Sequence, residues 1–418
     1  MTRAICWIAA ASLFGGCAGD AETSLGNERV RAPDAQMAPD AAGPLPGQPD
    51  MGLPDTDAAV GSADVGTADP DAMAADPDAG RDEPDAEVMP DPDAAMGEAD
   101  AEPDADIDAP DAAPEPDMGP VDPNLDPGAP GPYAVSVEAG VNVALPENSS
   151  STLIVCTPEE NGAPLDEALP LVVISPGFQL ETSLYRSYCE RIASWGFFTV
   201  IRSLNVVGFT ADHPAMARDL SGLIDVLTAN DSPYAGQIDA SAIAAAGHSL
   251  GGKLSALAAA DDDRIDGVIG WDPVDADPPG GFGVGASVVP ERGGDLSMPV
   301  LVFGETLDAD PVFGFGPSCA PADQNYTQYY DAASGEATEI TFAGADHVDW
   351  LDNVNCGLFC NACQSGMADD AVVRSITQRT TVAFLLLHLQ GMQGMARWVD
   401  GDGLDADEQA GTITVRSR

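Results

Sequence analysis

Positive charge and histidine are scarce in this sequence. Lysine and arginine together number 16 against 69 aspartates and glutamates, which gives a formal net charge of −53 at pH 7, and only four histidines are present. Nucleic acid and anionic lipid surfaces repel so acidic a chain, so both are excluded as partners. No apolar run reaches the roughly 18 residues that a membrane-spanning helix needs. The sequence therefore predicts no transmembrane helix.

The first 17 residues have the pattern of a secretory signal. A short positive start, Met1-Thr2-Arg3, precedes an apolar run over residues 4–14, and two glycines lead to Cys17. A cysteine at this point resembles the signal of bacterial lipoproteins, in which that cysteine becomes the lipidated first residue. We therefore expect export to the cell envelope, with a lipid anchor at Cys17 in a bacterial outer membrane. Ordinary secretion is the alternative.

Residues 18–130 lack the side chains that a hydrophobic core needs. The segment is largely Asp, Ala, Pro and Gly, and Pro-Asp-Ala recurs in it without a fixed period. Almost no aromatic or branched apolar residue is available for burial, so the gain from folding cannot offset the loss of chain entropy. We predict a disordered acidic linker here, with weak cation binding by its aspartates as a lesser alternative.

Residues 131–418 remain for one folded domain. Near-continuous apolar runs alternate with helical segments, which is typical of an α/β fold with a mainly parallel sheet covered on both faces. Predicted strands are 152–156, 169–175, 197–202, 242–247, 267–272, 299–304 and 339–342, and predicted helices are 181–194, 214–229, 250–260, 324–331 and 371–390. Sheets of this kind carry their functional residues at the carboxyl ends of the strands.

One glycine-rich stretch stands between a predicted strand and a predicted helix. It reads Gly247-His248-Ser249-Leu250-Gly251-Gly252, the G-x-S-x-G pattern of a nucleophile elbow. A serine at a sharp strand-to-helix turn holds a strained backbone, and the glycines let the turn close and a substrate approach. The pattern predicts that Ser249 is a nucleophile, and a plain structural turn is the alternative.

A serine nucleophile needs a histidine base, and His347 is the best placed of the four histidines. It follows the last predicted strand, which gives the chain order of nucleophile before base that α/β-hydrolases use. His248 belongs to the elbow itself and is expected to point away from the reacting face. His213 begins a predicted helix, and His388 lies on the apolar face of another.

Two aspartates compete as the acid that orients the base. Asp272 and Asp308 each end a predicted strand, so either side chain can reach a histidine at the same edge of the sheet.

The oxyanion of an acyl-transfer reaction needs two N–H donors, which we assign to Leu250 after the nucleophile and to Phe178 after the 169–175 strand. Aromatic side chains that line a substrate pocket or belong to the core are Phe178, Trp271, Phe313, Phe315 and Trp350.

Cysteine usage agrees with export. Outside the predicted signal the cysteines are Cys156, Cys189, Cys319, Cys356, Cys360 and Cys363. An even number in an oxidising compartment predicts up to three disulfides, with 15 possible complete pairings. Zinc binding by the last three is the alternative.

The acidic stretch over residues 400–408 does not fit the spacing of a calcium loop, so a solvated tail is expected there.

Several segments carry a resemblance to a known family. They are the elbow with Lys253, Ile269-Gly270-Trp271-Asp272-Pro273-Val274, residues 317–325, His347-Val348-Asp349-Trp350-Leu351-Asp352, the region of Cys360 and Cys363, and Val382-Ala383-Phe384-Leu385. Through these segments the domain resembles the chlorophyllase family of α/β-hydrolases over most of residues 169–391. In that family the aspartate of the Asp-Pro-Val motif is the acid, so the resemblance implies Asp272.

A second resemblance favours the other aspartate. Ser175-Pro176-Gly177-Phe178 and residues 192–197 and 304–312 are similar to the cutinase and polyester-hydrolase group. Residues 304–312 match the acid-bearing segment of that group, which implies Asp308 instead.

The sequence thus predicts a serine carboxylic-ester hydrolase that acts through an acyl-enzyme, without metal or other cofactor, on a small or lipophilic ester. Ser249, Asp272 and His347 are its expected catalytic residues. A cutinase-like polyester or lipid esterase that uses Asp308 is one alternative, and a non-catalytic surface binding module is another.

Overall fold

The computed structural model describes residues 125–145, 149–310, 318–354, 360 and 363–418. The predicted signal and the predicted linker up to residue 124 lie outside these residues. Within the described part of the chain, no helix combines the length and the apolar character needed to cross a membrane.

A ten-stranded sheet forms the centre of the described fold. Its strands lie in the order β1-β2-β5-β4-β7-β8-β10-β11-β12, with β3 paired to β2 at one edge. The strands are β1 Ala134–Leu145, β2 Ser149–Glu160, β3 Ala163–Pro164, β4 Leu169–Ser175, β5 Phe198–Arg202, β7 Ile238–His248, β8 Ile265–Trp271, β10 Val300–Glu305, β11 Ala337–Phe342 and β12 Ile413–Ser417; a separate pair consists of β6 Ala211–Asp212 and β9 Gly283–Val284.

Six neighbouring strands of the sheet run parallel to one another, namely β5, β4, β7, β8, β10 and β11. Antiparallel strands flank them on both sides, β2 beside β5 and β12 beside β11, and β1 lies beyond β2. The helices are α1 Arg186–Ala193, α2 His213–Thr228, α3 Leu250–Ala259, α4 Tyr326–Ala332, α5 Asp370–His388 and α6 Asp405–Gln409. The α/β class predicted from the sequence, with a mainly parallel sheet covered by helices, is therefore confirmed.

Each parallel strand is buried on both faces, which explains its near-continuous apolar sequence. In β4, Val172 and Ile174 face a core formed with α1 and α5, while Leu171 and Val173 face a second core formed with α2, α3 and α4. All four side chains are fully buried. Burial of each contributes about 1.5–3 kcal/mol to folding, so the two cores hold the strand ends in fixed positions.

The edges of the sheet differ from the sequence prediction. Strand β1 was not predicted, because most of its residues are exposed or half-buried and give no apolar run. The acidic stretch from 400 onward is part of the fold rather than a solvated tail. Its Leu404 is buried, Asp407 pairs with Arg379 at 2.6 Å, and β12 follows as an antiparallel edge strand.

Residues at the end of the predicted linker also pack on the domain. The Arg191 guanidinium donates to the Gly128 carbonyl at 2.7 Å, and the Trp195 indole donates to the Ala129 carbonyl at 3.2 Å. Leu125 lies against the apolar core. Residues 125, 128 and 129, which fall within the predicted linker, therefore contact the folded domain.

Two disulfides join distant parts of the described chain. Cys156 of β2 is bonded to Cys189 of α1, and Cys319 is bonded to Cys363. Cys360 is also disulfide-bonded, whereas Cys356 lies outside the described residues. Disulfides form in oxidising compartments, so they indicate an exported protein. Because a disulfide offers no thiolate, Cys360 and Cys363 cannot serve as the zinc ligands considered as the alternative in the sequence analysis.

Candidate active site

The elbow places Ser249 at the carboxyl end of β7, one residue before α3. Its backbone has φ 54° and ψ −122°, a region that costs a non-glycine residue about 1–3 kcal/mol and that is found mostly at functional sites. Two glycines make this turn possible. A Cβ on Gly251 would lie 2.0 Å from the Ser175 carbonyl oxygen, and one on Gly247 would lie 2.3 Å from the Gly251 backbone. The turn therefore presents the Ser249 hydroxyl outward on a rigid support.

Three side chains predicted from the sequence meet at this end of the sheet. The Ser249 Oγ lies 2.9 Å from His347 Nε2, and His347 Nδ1 lies 2.6 Å from Asp272 Oδ2. Asp272 directly follows β8 and His347 lies in the loop after β11, so parallel strand ends bring them together. This chain of hydrogen bonds can pass the hydroxyl proton to the imidazole, with the carboxylate orienting the ring.

The electrostatics of the site favour a charged imidazole. Burial lowers the pKa of His347, but the hydrogen bond and charge of Asp272, together with the charge of Asp308, outweigh it and leave that pKa raised. Burial raises the pKa of Asp272 in turn, and the hydrogen bond and charge of His347 oppose that rise. The neighbouring carboxylates thus stabilise the protonated form of the His347 imidazole.

Asp308, the alternative acid, contacts the backbone of His347 rather than its ring. Asp308 Oδ2 accepts a hydrogen bond from the His347 amide at 2.9 Å, and its Oδ1 accepts one from the Gln364 amide at 2.8 Å. Asp308 is fully buried. It therefore ties the loop that carries His347 to a neighbouring segment, while Asp272 holds the imidazole.

A third buried carboxylate, Glu305, ends β10 behind this pair. Its Oε2 accepts hydrogen bonds from the amides of Leu307 and Asp308, and its Oε1 has no partner among the described residues. Burial, with the charges of Asp272 and Asp308, raises the pKa of Glu305 to about 8. Glu305 is thus protonated at neutral pH and adds no full charge beside Asp272.

We expect Glu305→Gln to stabilise the protein at alkaline pH. Between its ordinary pKa of 4.5 and about 8, the folded chain keeps the Glu305 proton while the unfolded chain loses it, so the free energy of unfolding falls as pH rises. Gln has no proton to lose, so the variant should exceed the parent at pH 9 by on the order of 2–4 kcal/mol and match it at pH 4. Urea unfolding at both pH values measures this.

Glu160→Gln, at the exposed end of β2, is the matched control and should leave the pH profile of unfolding unchanged. Equal losses of stability in the parent and in Glu305→Gln between pH 4 and pH 9 would contradict the assignment of that loss to Glu305.

A mainly apolar cavity of about 330 Å³ opens over the Ser249 hydroxyl. Its wall is formed by Phe178, Leu180, Phe209, His213, His248, Ser249, Leu250, Val274, Ala276, Asp277, Pro279, Ser318, Cys319, His347, Val348, Cys360 and Cys363. Such a cavity accommodates a small or lipophilic molecule.

The two predicted oxyanion donors, Phe178 and Leu250, both line this cavity. Leu250 is the first residue of α3, where a backbone N–H has no acceptor within the helix and the helix dipole favours negative charge. Both residues therefore border the space next to Ser249, and their role as oxyanion donors stays a prediction. Of the other predicted aromatic residues, Trp271 and Trp350 are fully buried in the core, whereas Phe313 and Phe315 lie outside the described residues.

His248 does not point away from the site as the sequence suggested. Its ring lies 4.7 Å from the His347 ring, between centroids, and its Nε2 lies 2.8 Å from the His347 carbonyl oxygen. Its Nδ1 lies 2.8 Å from the hydroxyl of Tyr185, a residue that no motif indicated. His213 lines the cavity, and His388 packs on Phe384, away from it.

Asp308, Cys319 and Cys363 form the only group of close metal-binding residue types found in the described part of the chain. Both sulfurs belong to one disulfide, so Asp308 is left as the sole usable ligand. This group does not fit a metal ion.

Comparison with known proteins agrees with this geometry. The chlorophyllase family model matches residues 128–402, which is more than half of the chain. The chain is 29% identical over 233 residues to cutinase est2 of Thermobifida alba, which covers 53% of this chain and 69% of that protein. It is 34% identical over 124 residues to cutinase est1 of the same organism, covering 29% of this chain and 38% of that protein.

Proposed function

Because the chain belongs to the chlorophyllase family, we propose that it is a serine carboxylic-ester hydrolase that acts through an acyl-enzyme. The likeness to two cutinases supports the same reaction class. The observation that carries the proposal is the hydrogen-bonded series from the Ser249 hydroxyl through His347 to Asp272, at 2.9 and 2.6 Å, on the wall of an apolar cavity.

In the first half of the reaction the Ser249 Oγ attacks the ester carbonyl carbon while His347 Nε2 takes the hydroxyl proton. The carbonyl oxygen becomes an oxyanion, which accepts hydrogen bonds from the amides of Leu250 and Phe178. When this intermediate collapses, the bond to the alcohol oxygen breaks, and the alcohol leaves with the proton from His347. The acyl group stays on Ser249 as an ester.

In the second half a water molecule attacks the acyl carbon and gives its proton to His347. Collapse then breaks the bond to Ser249 Oγ, the carboxylic acid leaves, and the serine regains its proton. Throughout, Asp272 holds the imidazole in the tautomer that leaves Nε2 free to accept, and stabilises the charged ring.

Labelling by a fluorophosphonate probe tests the proposal, because the probe reacts with an activated serine and not with an ordinary hydroxyl. We expect one labelled residue, Ser249, in the full chain, and prior labelling should abolish hydrolysis of a p-nitrophenyl ester. A chain that takes up no probe at Ser249 would instead support the alternative of a non-catalytic binding module.

We further propose that the substrate is a lipophilic ester, because the wall around Ser249 is mainly apolar and two relatives bear the name cutinase. A screen of esters with increasing acyl chain length measures this preference.

The domain order proposed from the sequence is a signal over residues 1–17, an acidic linker over 18–130 and the hydrolase domain over 131–418. With a lipid anchor on Cys17, the enzyme would work at some distance from the membrane. Replacement of Cys17 by serine should then release it from the membrane fraction.

A further inference from the structure

Beside the site, two buried side chains form a continuous series of hydrogen bonds between loops on either side of Ser249. The Gly177 amide donates to the Tyr185 hydroxyl oxygen at 3.0 Å. That oxygen lies 2.8 Å from His248 Nδ1, and His248 Nε2 lies 2.8 Å from the His347 carbonyl oxygen. Both side chains are 0% exposed, so solvent water does not reach the series from outside.

For a neutral His248 ring, the chemistry of the two ends permits one arrangement of protons. A backbone amide can only donate, so the Tyr185 oxygen accepts from Gly177 and turns its own hydrogen toward His248 Nδ1. A carbonyl oxygen can only accept, so His248 Nε2 must carry the ring hydrogen and donate it to His347. A neutral His248 imidazole thus has Nδ1 as acceptor and Nε2 as donor.

The titration behaviour of both groups agrees with this arrangement. Burial raises the pKa of Tyr185 well above its ordinary value, so the phenol keeps its proton. Burial, with the neighbouring His347, lowers the pKa of His248 well below its ordinary value, so that ring is neutral at neutral pH. The donors and acceptors of this series of hydrogen bonds therefore stay the same while the His347 ring gains and loses a proton.

The two loops joined in this way carry different parts of the site. Gly177 directly precedes Phe178, which we propose as an oxyanion donor, and the far end is the backbone of the proposed base, His347. Packing around Gly177 is tight, since a Cβ there would come within 3.0 Å of His248 Nδ1. The oxyanion loop therefore rests on the same histidine that holds the base.

We infer that Tyr185 and His248 are positioning residues. Their hydrogen bonds fix the position of the loop that carries Gly177 and Phe178 relative to the loop that carries the base, His347. The inference rests on the proposed function, because it assigns purpose to the two loops through the reaction. The hydrogen bonds of His248 go to Tyr185 and to the His347 carbonyl oxygen, and not to the Ser249 hydroxyl or the His347 ring. Misplacement of either loop would raise the barrier to the chemical step more than it weakens substrate binding.

Tyr185→Phe tests this, with Tyr188→Phe as the matched control. Tyr188 packs on Trp271 at 4.2 Å between ring centroids, as Tyr185 does at 6.3 Å, but its buried hydroxyl has no hydrogen-bond partner among the described residues. Each variant loses one buried hydroxyl. We expect Tyr185→Phe to lower kcat about 10- to 100-fold with KM changed less than about twofold. Tyr188→Phe should keep both parameters, and equal kcat in the two variants would overturn the inference.

A second measurement works even if Tyr185→Phe fails to fold. Long-range proton–nitrogen NMR of the full chain labelled at its four histidines reports which ring nitrogen bears the hydrogen, and His248→Gln assigns the signal. We expect His248 to carry hydrogen on Nε2 in the parent, and hydrogen on Nδ1 would overturn the inference. Failure of the proposed function looks different, because Ser249→Ala would then hydrolyse esters while the NMR result stood.

Discussion

Ser249→Ala is expected to lower kcat for a p-nitrophenyl ester by about 10⁶-fold while the fold is kept. The substitution removes the only atom at the elbow that can form the acyl-enzyme, and His347 Nε2, 2.9 Å from that atom, loses the group whose proton it takes. The proposed oxyanion donors, Leu250 and Phe178, remain, so activity about 10³–10⁴-fold above the reaction in water should persist. Burst and steady-state kinetics on the purified full chain measure both quantities.

Ser241→Ala is the matched control for this variant. Ser241 belongs to the same strand, β7, but lies exposed at its other end, where its hydroxyl donates to Asp239 at 2.6 Å. Its loss should leave kcat unchanged. A Ser249→Ala protein that hydrolyses the ester at the parent rate would contradict an acyl-enzyme on Ser249, even though His347 lies within hydrogen-bond distance of that residue.

The arrangement around Ser249 could be predicted because parallel strands place their carboxyl ends at one edge. An apolar run before the elbow predicts β7, and residues after the neighbouring runs must then lie beside it. This reasoning leads to Asp272 and His347 from the sequence alone. It gives equal weight to Asp308, because a strand end does not reveal whether its carboxylate meets a side chain or a backbone amide.

Tyr185 could not be found in this way. It lies in a short 3₁₀ helix before α1, and its hydroxyl reaches His248 only because α1 packs on the face of the sheet beneath the elbow. No spacing along the chain encodes that contact. The same holds for the pairing of Cys319 with Cys363, which depends on how two loops meet, and for β1, whose half-exposed residues show no apolar pattern.

Asp272→Asn is expected to lower kcat by about 10⁴-fold, which would identify Asp272 rather than Asp308 as the acid. The Asn amide would present a hydrogen to His347 Nδ1, 2.6 Å from the present carboxylate oxygen. The imidazole would then carry its own hydrogen on Nε2, where it can no longer accept from Ser249. The buried negative charge that stabilises the imidazolium would also be lost.

Asp308→Asn should behave differently, although it removes an equally buried charge. The Asn side chain keeps one oxygen to accept from the His347 amide and loses one acceptor toward Gln364, so we expect less than about a tenfold loss in kcat at pH 8. The charge of Asp308 helps to raise the pKa of His347, so its removal lowers that pKa. Because His347 must be neutral to accept the serine proton, the acid limb of the kcat/KM profile should move to lower pH.

The pH profile separates the two roles independently of the size of the loss. In the parent the acid limb should lie above the ordinary histidine pKa of 6.5, since Asp272 and its neighbours raise the pKa of His347. In Asp308→Asn it should shift downward with the maximum largely kept, whereas in Asp272→Asn the maximum itself should fall by about 10⁴. The reverse pattern would make Asp308 the acid, and the present contact between Asp272 and the imidazole would then have to rearrange during catalysis.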